Sequence, residues 1–138
     1  MAWVDKESWE DGIEAIIGTR TVKMSSSITV PIRRGMVVTM TPTGEVGFNG
    51  SYFAGISMGD YGLPKPNSDN LMTVLYAGRC AVYNDSNEAL LSGYIVKQHA
   101  TTPGAVQGTD IGERGIGYAQ ERIEPHSWGI IVIHPMKR

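Results

Sequence analysis

LMTVLYAGRCAVYNDSNEALLSGYIV, residues 71–96, carries the densest strand signal of the chain. Met72, Val74 and Tyr76 alternate with Thr73, Leu75 and Ala77, the period of two expected of a strand with one face on a core. Gly78 breaks the run, Cys80, Val82 and Tyr83 resume it, and Asn84-Asp85-Ser86-Asn87 is turn material. A second apolar run climbs from Ala89 to Val96 with Gly93 inside it. The stretch reads strand, kink, strand, polar turn, strand. Cys80 falls within it beside Arg79; a nearby cation lowers a thiol pKa, but strand neighbours point to opposite faces, which favours a buried structural cysteine.

Upstream, the period of two continues. Ile28, Val30 and Ile32 alternate with Ser27, Thr29 and Pro31, and Met36, Val38 and Met40 with Val37, Thr39 and Thr41. Arg33-Arg34-Gly35 and Pro42-Thr43-Gly44 read as turns between them. Asn49-Gly50 predicts a type I′ hairpin, because both residues tolerate positive φ. Tyr52 to Met58 resumes a strand. Residues 59–70, GDYGLPKPNSDN, have no periodicity, and their prolines and glycines forbid helix and central strand. An exposed loop is expected there, and loops of this length are often functional.

Downstream, a second loop is expected from His99 to Arg114, made pliant by its glycines. Ile116 and Tyr118 enter a short strand, IGYAQERI (116–123), and Trp128 to Ile133 (WGIIVI) reads as a closing strand buried on both faces. The first 25 residues differ. Trp9, Ile13, Ile16 and Ile17 fall at i, i+4, i+7 and i+8, one helical face, with Ser8 and Asp11 as a weak capping box and Gly18 as a stop. A helix that short needs a surface to pack on. The prediction is therefore an all-β protein, a small β-barrel or sandwich of about nine short strands. An N-terminal arm over 1–25 carries a short helix, and the β domain covers 26–138.

At 138 residues the chain is one domain, able to bury a core without metals or crosslinks. Cys80 is its single cysteine, which excludes an intrachain disulfide and a cysteine-built zinc cage. Net charge is −2, against a phosphate-gripping nucleic-acid binder. The charge is uneven: residues 1–18 hold Asp5, Glu7, Glu10, Asp11 and Glu14 against Lys6, and the rest of the chain is mildly basic. An acidic arm of that kind either docks on a neighbour or is simply solvated. No apolar run approaches a membrane span. The start, MAWVDKESWEDG, lacks the basic region and apolar core of a signal peptide, so a cytoplasmic chain, or one assembled there into something larger, is expected.

Chemical motifs are weak. Gly55-Ile56-Ser57-Met58-Gly59 spells a nucleophile elbow, but the Asp60-Tyr61-Gly62-Leu63-Pro64 that follows cannot be the helix such an elbow feeds. The competing reading is a strand exit where backbones crowd. His126 and His134 bracket the last strand and stand some 25 Å apart if it is extended at about 3.3 Å per residue, too far to share a metal. Asn84 to Glu88 lacks the glycine and the bidentate glutamate of a calcium loop and reads as an Asx-type turn. No metal or cofactor is expected, and no catalytic residue. The candidate partner-binding residues are Trp3, Trp9 and Ile13 on the arm, Arg33 and Arg34 on a turn, and Tyr61 and Leu63 on the proline-rich loop, since aromatic anchors and arginines dominate interface energetics.

The order of glycine-anchored segments adds a resemblance: Arg34-Gly35-Met36-Val37-Val38, Ala54-Gly55-Ile56-Ser57, Val74 to Tyr83 with its G-R-C-A-V-Y, Gly93-Tyr94-Ile95-Val96, and Ile116-Gly117-Tyr118-Ala119. Over about residues 30–134 this resembles the small capsid decoration, or cement, proteins of tailed bacteriophages, compact β-barrels with no catalytic role. The resemblance implies attachment to the outside of an assembled head as a homotrimer, bridging major capsid protein subunits, with no nucleic-acid or membrane partner. The location would be the virion surface, after assembly in the host cytoplasm. The long acidic arm and the proline-rich loop depart from that pattern, which leaves open which of them meets the capsid. Two alternatives stand beside it: a head–tail connector or tail-tube subunit, and a small serine hydrolase using Ser57.

Overall fold

The computed structural model describes residues 2–9 and 13–137. Among them there are nine strands and no helix: β1 (Ile13–Lys23), β2 (Val37–Met40), β3 (Val46–Gly47), β4 (Tyr52–Ser57), β5 (Leu71–Asn84), β6 (Ile95–Gln98), β7 (Val106–Gly108), β8 (Arg114–Ala119) and β9 (Ser127–Lys137). The all-β expectation is met, and the chain forms a closed five-stranded barrel with further strands attached.

β5 organises both parts. Along one edge it pairs with β4 and then β9; along the other it pairs with β1 and then, in parallel at Asn84, with β7. The path β5–β7–β6–β8–β9 returns to β5, which closes the barrel and removes its edges. Cys80, Val82, Val96, Val106, Ile116, Ala119, Ile131 and Ile133 fill it, with Leu90 and Ile123 from an antiparallel bridge between connecting segments. β1, β5, β4, β2 and β3 make a second ring, closed where Met24, just past β1, bridges Val46 and Ser25 N–H donates to the Val46 carbonyl at 2.9 Å. Val22, Met24, Val38, Val46, Ala54, Met72 and Val74 fill that ring.

The two cores share a wall. Val37, Ile56 and Leu75 pack into the barrel, while their neighbours Val38 and Val74 pack into the second core. Period-two alternation does this directly, because successive side chains leave opposite faces. Within β5, however, odd-numbered Leu75 and even-numbered Cys80 and Val82 face the same core. Gly78, at φ +135°, is where the parity changes, and β1 pairs there with register irregularities. The predicted kink is thus a bulge inside one continuous strand. Fully burying side chains such as Ile131 and Leu75 stabilises the fold by about 1.5–3 kcal/mol each.

Several predicted elements differ. The short helix is absent: Ile13–Lys23 is a strand, and Ile16 and Ile17 are 59% and 79% exposed rather than lining a packed helical face. The segment is rich in isoleucine, threonine and valine, and the open edge of β5 offers it backbone partners that an isolated short helix lacks. Residues 28–32 are not a strand; Ile28 N–H bonds back to the Ser25 carbonyl in a turn, and only Ile32 makes a bridge, to Gly62. Asn49-Gly50 makes no type I′ turn, since neither residue has positive φ. β3 and β4 flank β2 instead of pairing with each other, so the chain crosses the end of β2. Gly50 N–H meets Thr39 Oγ1 at 2.7 Å there, and a Cβ on Gly50 would lie 2.1 Å from the Met40 carbonyl oxygen. The expected loop at 99–114 contains β7, which closes the barrel.

Candidate functional site

Four aromatic rings gather where β5 and β9 end. Trp128, the second residue of β9, lies opposite Tyr83 in the register, and the two rings are 5.7 Å apart. The N-terminal segment lays two more on them: Trp3 stands edge-on to Trp128 at 5.0 Å and to Tyr83 at 5.7 Å, and Trp9 edge-on to Trp128 at 5.5 Å. Edge-to-face geometry sets positive ring edges against negative faces. Trp128 Nε1 donates to the Val4 carbonyl at 3.0 Å, and Trp3 Nε1 to Asp5 Oδ1 at 2.9 Å.

The arginine turn completes the cluster. The Arg34 guanidinium lies 4.6 Å from the Trp9 ring centre, a cation–π distance. Arg33 Nε is 4.0 Å from Asp5 Oδ2, an exposed pair that contributes little. Gly35, at φ +90°, forms the floor: a Cβ there would sit 2.6 Å from Trp9 and 2.8 Å from Trp128. Asp60 Oδ1 accepts from Arg34 N–H at 2.9 Å and ties the proline-rich loop to the turn.

The structure therefore brings Trp3, Trp9, Arg33 and Arg34 into one site. Tyr61 is placed separately: its Oη accepts from Thr73 N–H at 3.0 Å and its ring packs on the second core. Leu63 stays half-exposed on the loop. Ile13 enters β1 opposite Cys80, and its side chain lies outside the described residues, as do Glu10 and Asp11 of the acidic arm. Sequence reading missed Trp128, Tyr83 and Gly35 as members of the site. In the sequence Trp128 reads as part of the apolar run WGIIVI, and its size at the head of that run is the one local signal that sets it apart.

Deleting residues 1–9 is expected to leave both cores folded, because β1 begins beyond the deletion. Three aromatic edge contacts, Trp3–Tyr83, Trp3–Trp128 and Trp9–Trp128, of about 0.5–1.5 kcal/mol each should be lost, together with a red shift of Trp128 emission. Fluorescence and thermal melts of the truncated chain would check this.

A second cluster pins three connections. The buried Asp85 carboxylate accepts from Thr102 Oγ1 and faces His126 Nδ1 at 3.0 Å, while His126 Nε2 faces Asn87 Oδ1 at 3.2 Å. Asn84, fully buried, accepts from Ser86 N–H, the predicted Asx turn, and its amide donates to the Glu88 and Glu124 carbonyls. Burial first, and the Asp85 charge second, push the Tyr83 phenol up. His99 Nδ1 accepts from the Thr101 and Thr102 N–H groups at 3.1 and 3.0 Å, a capping role. Asp85→Ala should leave the Thr102 hydroxyl and His126 without their acceptor and cost about 2–3 kcal/mol, read as a lower melting temperature.

Ser57 is 1% exposed and its hydroxyl donates to the Gly59 carbonyl at 2.7 Å, which makes it a strand-exit residue in a crowded backbone. Burial pushes the Cys80 thiol up to about 12, outweighing the lowering effect of Arg34, so it packs as an inert core residue. Among the described residues no group of three His, Cys, Asp or Glu is placed to hold a metal. No protein-family model matches the chain, and the curated proteins contain no match to it.

Proposed function

We propose that the chain is a structural virion protein of the capsid-decoration class, which binds the outside of an assembled head as a homotrimer and bridges major capsid protein subunits. The observation that carries the reading is where the glycine-anchored segments fall. Gly35 leads into β2, Gly55 sits in β4, Gly78 in β5, Gly93 just ahead of β6 and Gly117 in β8. The segments that resemble cement proteins are thus the ones that build the two packed rings. Gly117 sits where a Cβ would lie 2.1 Å from the Val132 carbonyl oxygen, so its spacing follows from backbone packing rather than chemistry.

A rigid body that still presents large apolar side chains supports the same reading. Tyr52, Ile17 and Ile111 are 75–89% exposed, and exposed apolar groups on a closed barrel suit contact with a partner. Ile111 stands on a braced turn: Glu113 N–H bonds the Asp110 carbonyl at 3.1 Å, and Glu113 Oε1 accepts from Asp110 N–H at 2.7 Å. The Lys97 ammonium, hydrogen-bonded to the other oxygen, holds the Glu113 carboxyl below the usual carboxylate range. Light scattering of the purified chain tests the oligomer directly. A particle of three times the 15.0 kDa chain mass is expected, and a strict monomer that also fails to bind heads would overturn the reading.

A further inference from the structure

Among the described residues, β1 pairs with no strand along the edge that faces away from β5 before the Met24 bridge. Its partner β5 fixes which groups face out: Thr73 N–H bonds Tyr61 Oη and Thr73 C=O accepts from Met58 N–H, both on the β4 side. The neighbouring Met72 and Val74 therefore face β1, where Val22 and Arg20 pair with them. Backbone groups alternate along a strand, so the N–H groups of Thr19, Thr21 and Lys23 point away from β5. Ser25, the next residue in that series, donates outward to Val46. Beyond this closure no described strand pairs with that side of β1. The half over Ile13–Gly18 is broken by register irregularities, whereas Thr19–Lys23 pairs in unbroken register and Thr19, Thr21 and Lys23 are exposed.

We infer that Thr19–Lys23 is an acceptor edge for an extended acidic segment of a partner protein, added to the sheet as a further strand. Backbone hydrogen bonding would supply the affinity and charge the selection. Two cations, Arg20 and Lys23, flank the edge against one carboxylate, Glu45, which is 3.9 Å from Lys23 Nζ. The Arg20 guanidinium is held in place, donating to the Ala54 carbonyl at 2.9 Å and lying 5.6 Å from the Tyr76 ring centre. The same cations disfavour a second copy, because two β1 edges side by side would crowd four of them onto one short ribbon. This surface is distinct from the tryptophan cluster, and the inference stands whether or not the partner is a capsid subunit.

The test is amide NMR on the full-length chain titrated with Glu-Val-Glu-Val-Glu-Val and, in parallel, Lys-Val-Lys-Val-Lys-Val. Shifts and exchange protection are expected at the Thr19, Thr21 and Lys23 amides but not at Arg20 and Val22, with about tenfold tighter binding of the acidic peptide. Thr21→Pro removes one outward N–H from an edge strand, a position where proline is tolerated, so it should abolish binding and move the melting temperature by no more than about 3 °C. The pair Arg20→Glu with Lys23→Glu should transfer the preference to the basic peptide. Unchanged odd-numbered amides, equal binding of both peptides, or dimerisation through this edge would overturn the inference.

Discussion

Gly78→Val is expected to abolish cooperative folding or to leave a domain destabilised by about 3–5 kcal/mol, the sum of a strained positive-φ valine and an overpacked contact. A Cβ at this position would lie 2.2 Å from the Ala15 carbonyl oxygen, and the residue sits at φ +135°. Neither problem is relieved by moving a side chain, because the clash is with the backbone of β1. The effect should reach both cores, since Gly78 is where β5 switches which face it presents to the barrel. Urea titration followed by far-UV circular dichroism would measure it. A shift of under about 1 kcal/mol would mean that the parity change does not depend on this glycine.

Trp128→Ala is expected to cost about 2–4 kcal/mol, somewhat less than a fully buried tryptophan because the ring is only partly covered. Trp128 is the hub that Trp3, Trp9 and Tyr83 all touch, and its Nε1 holds the Val4 carbonyl. The substitution should therefore release the N-terminal segment as well as leave a void. A double-mutant cycle separates the two: in a chain lacking residues 1–9, Trp128→Ala should cost about 1–3 kcal/mol less than in the intact chain. Equal costs in the two backgrounds would show that the segment does not dock through this ring.

Much of the fold was legible because its strands alternate cleanly. β5 follows from period two and β9 from its apolar run, whereas the strand count agrees only because β1 and β7, which were not expected, stand in for expected strands such as 28–32 that are absent. What escaped the sequence was set by tertiary pairing. Ile13–Lys23 has a helical coincidence of apolar spacing, and the open edge of β5 decided against it. Asn49-Gly50 has the composition of a tight turn but crosses the end of β2, a matter of strand order that no local signal encodes. β7 is three residues long, too short for any period to register.

The site was half legible. Trp3 and Trp9 stood out as aromatic anchors on a segment unable to stabilise itself, and Arg33 and Arg34 as a turn-borne basic pair. Their meeting point was not visible, because Trp128 and Tyr83 come from strands more than a hundred and about eighty residues from Trp3. The acidic arm also finds a basic partner within its own chain, through Asp5 and Arg33, where charge distribution alone left a neighbouring copy equally open.

The most direct measurement of the capsid-decoration proposal is electron cryomicroscopy of empty expanded heads, assembled from the major capsid protein encoded in the same genome and incubated with this chain. Added density is expected on the outer surface at three-fold or quasi-three-fold positions, one trimer at each. Bare heads beside a free monomeric chain would contradict the proposal, as would rings or tubes of the chain alone, which would place it among connector or tail-tube subunits.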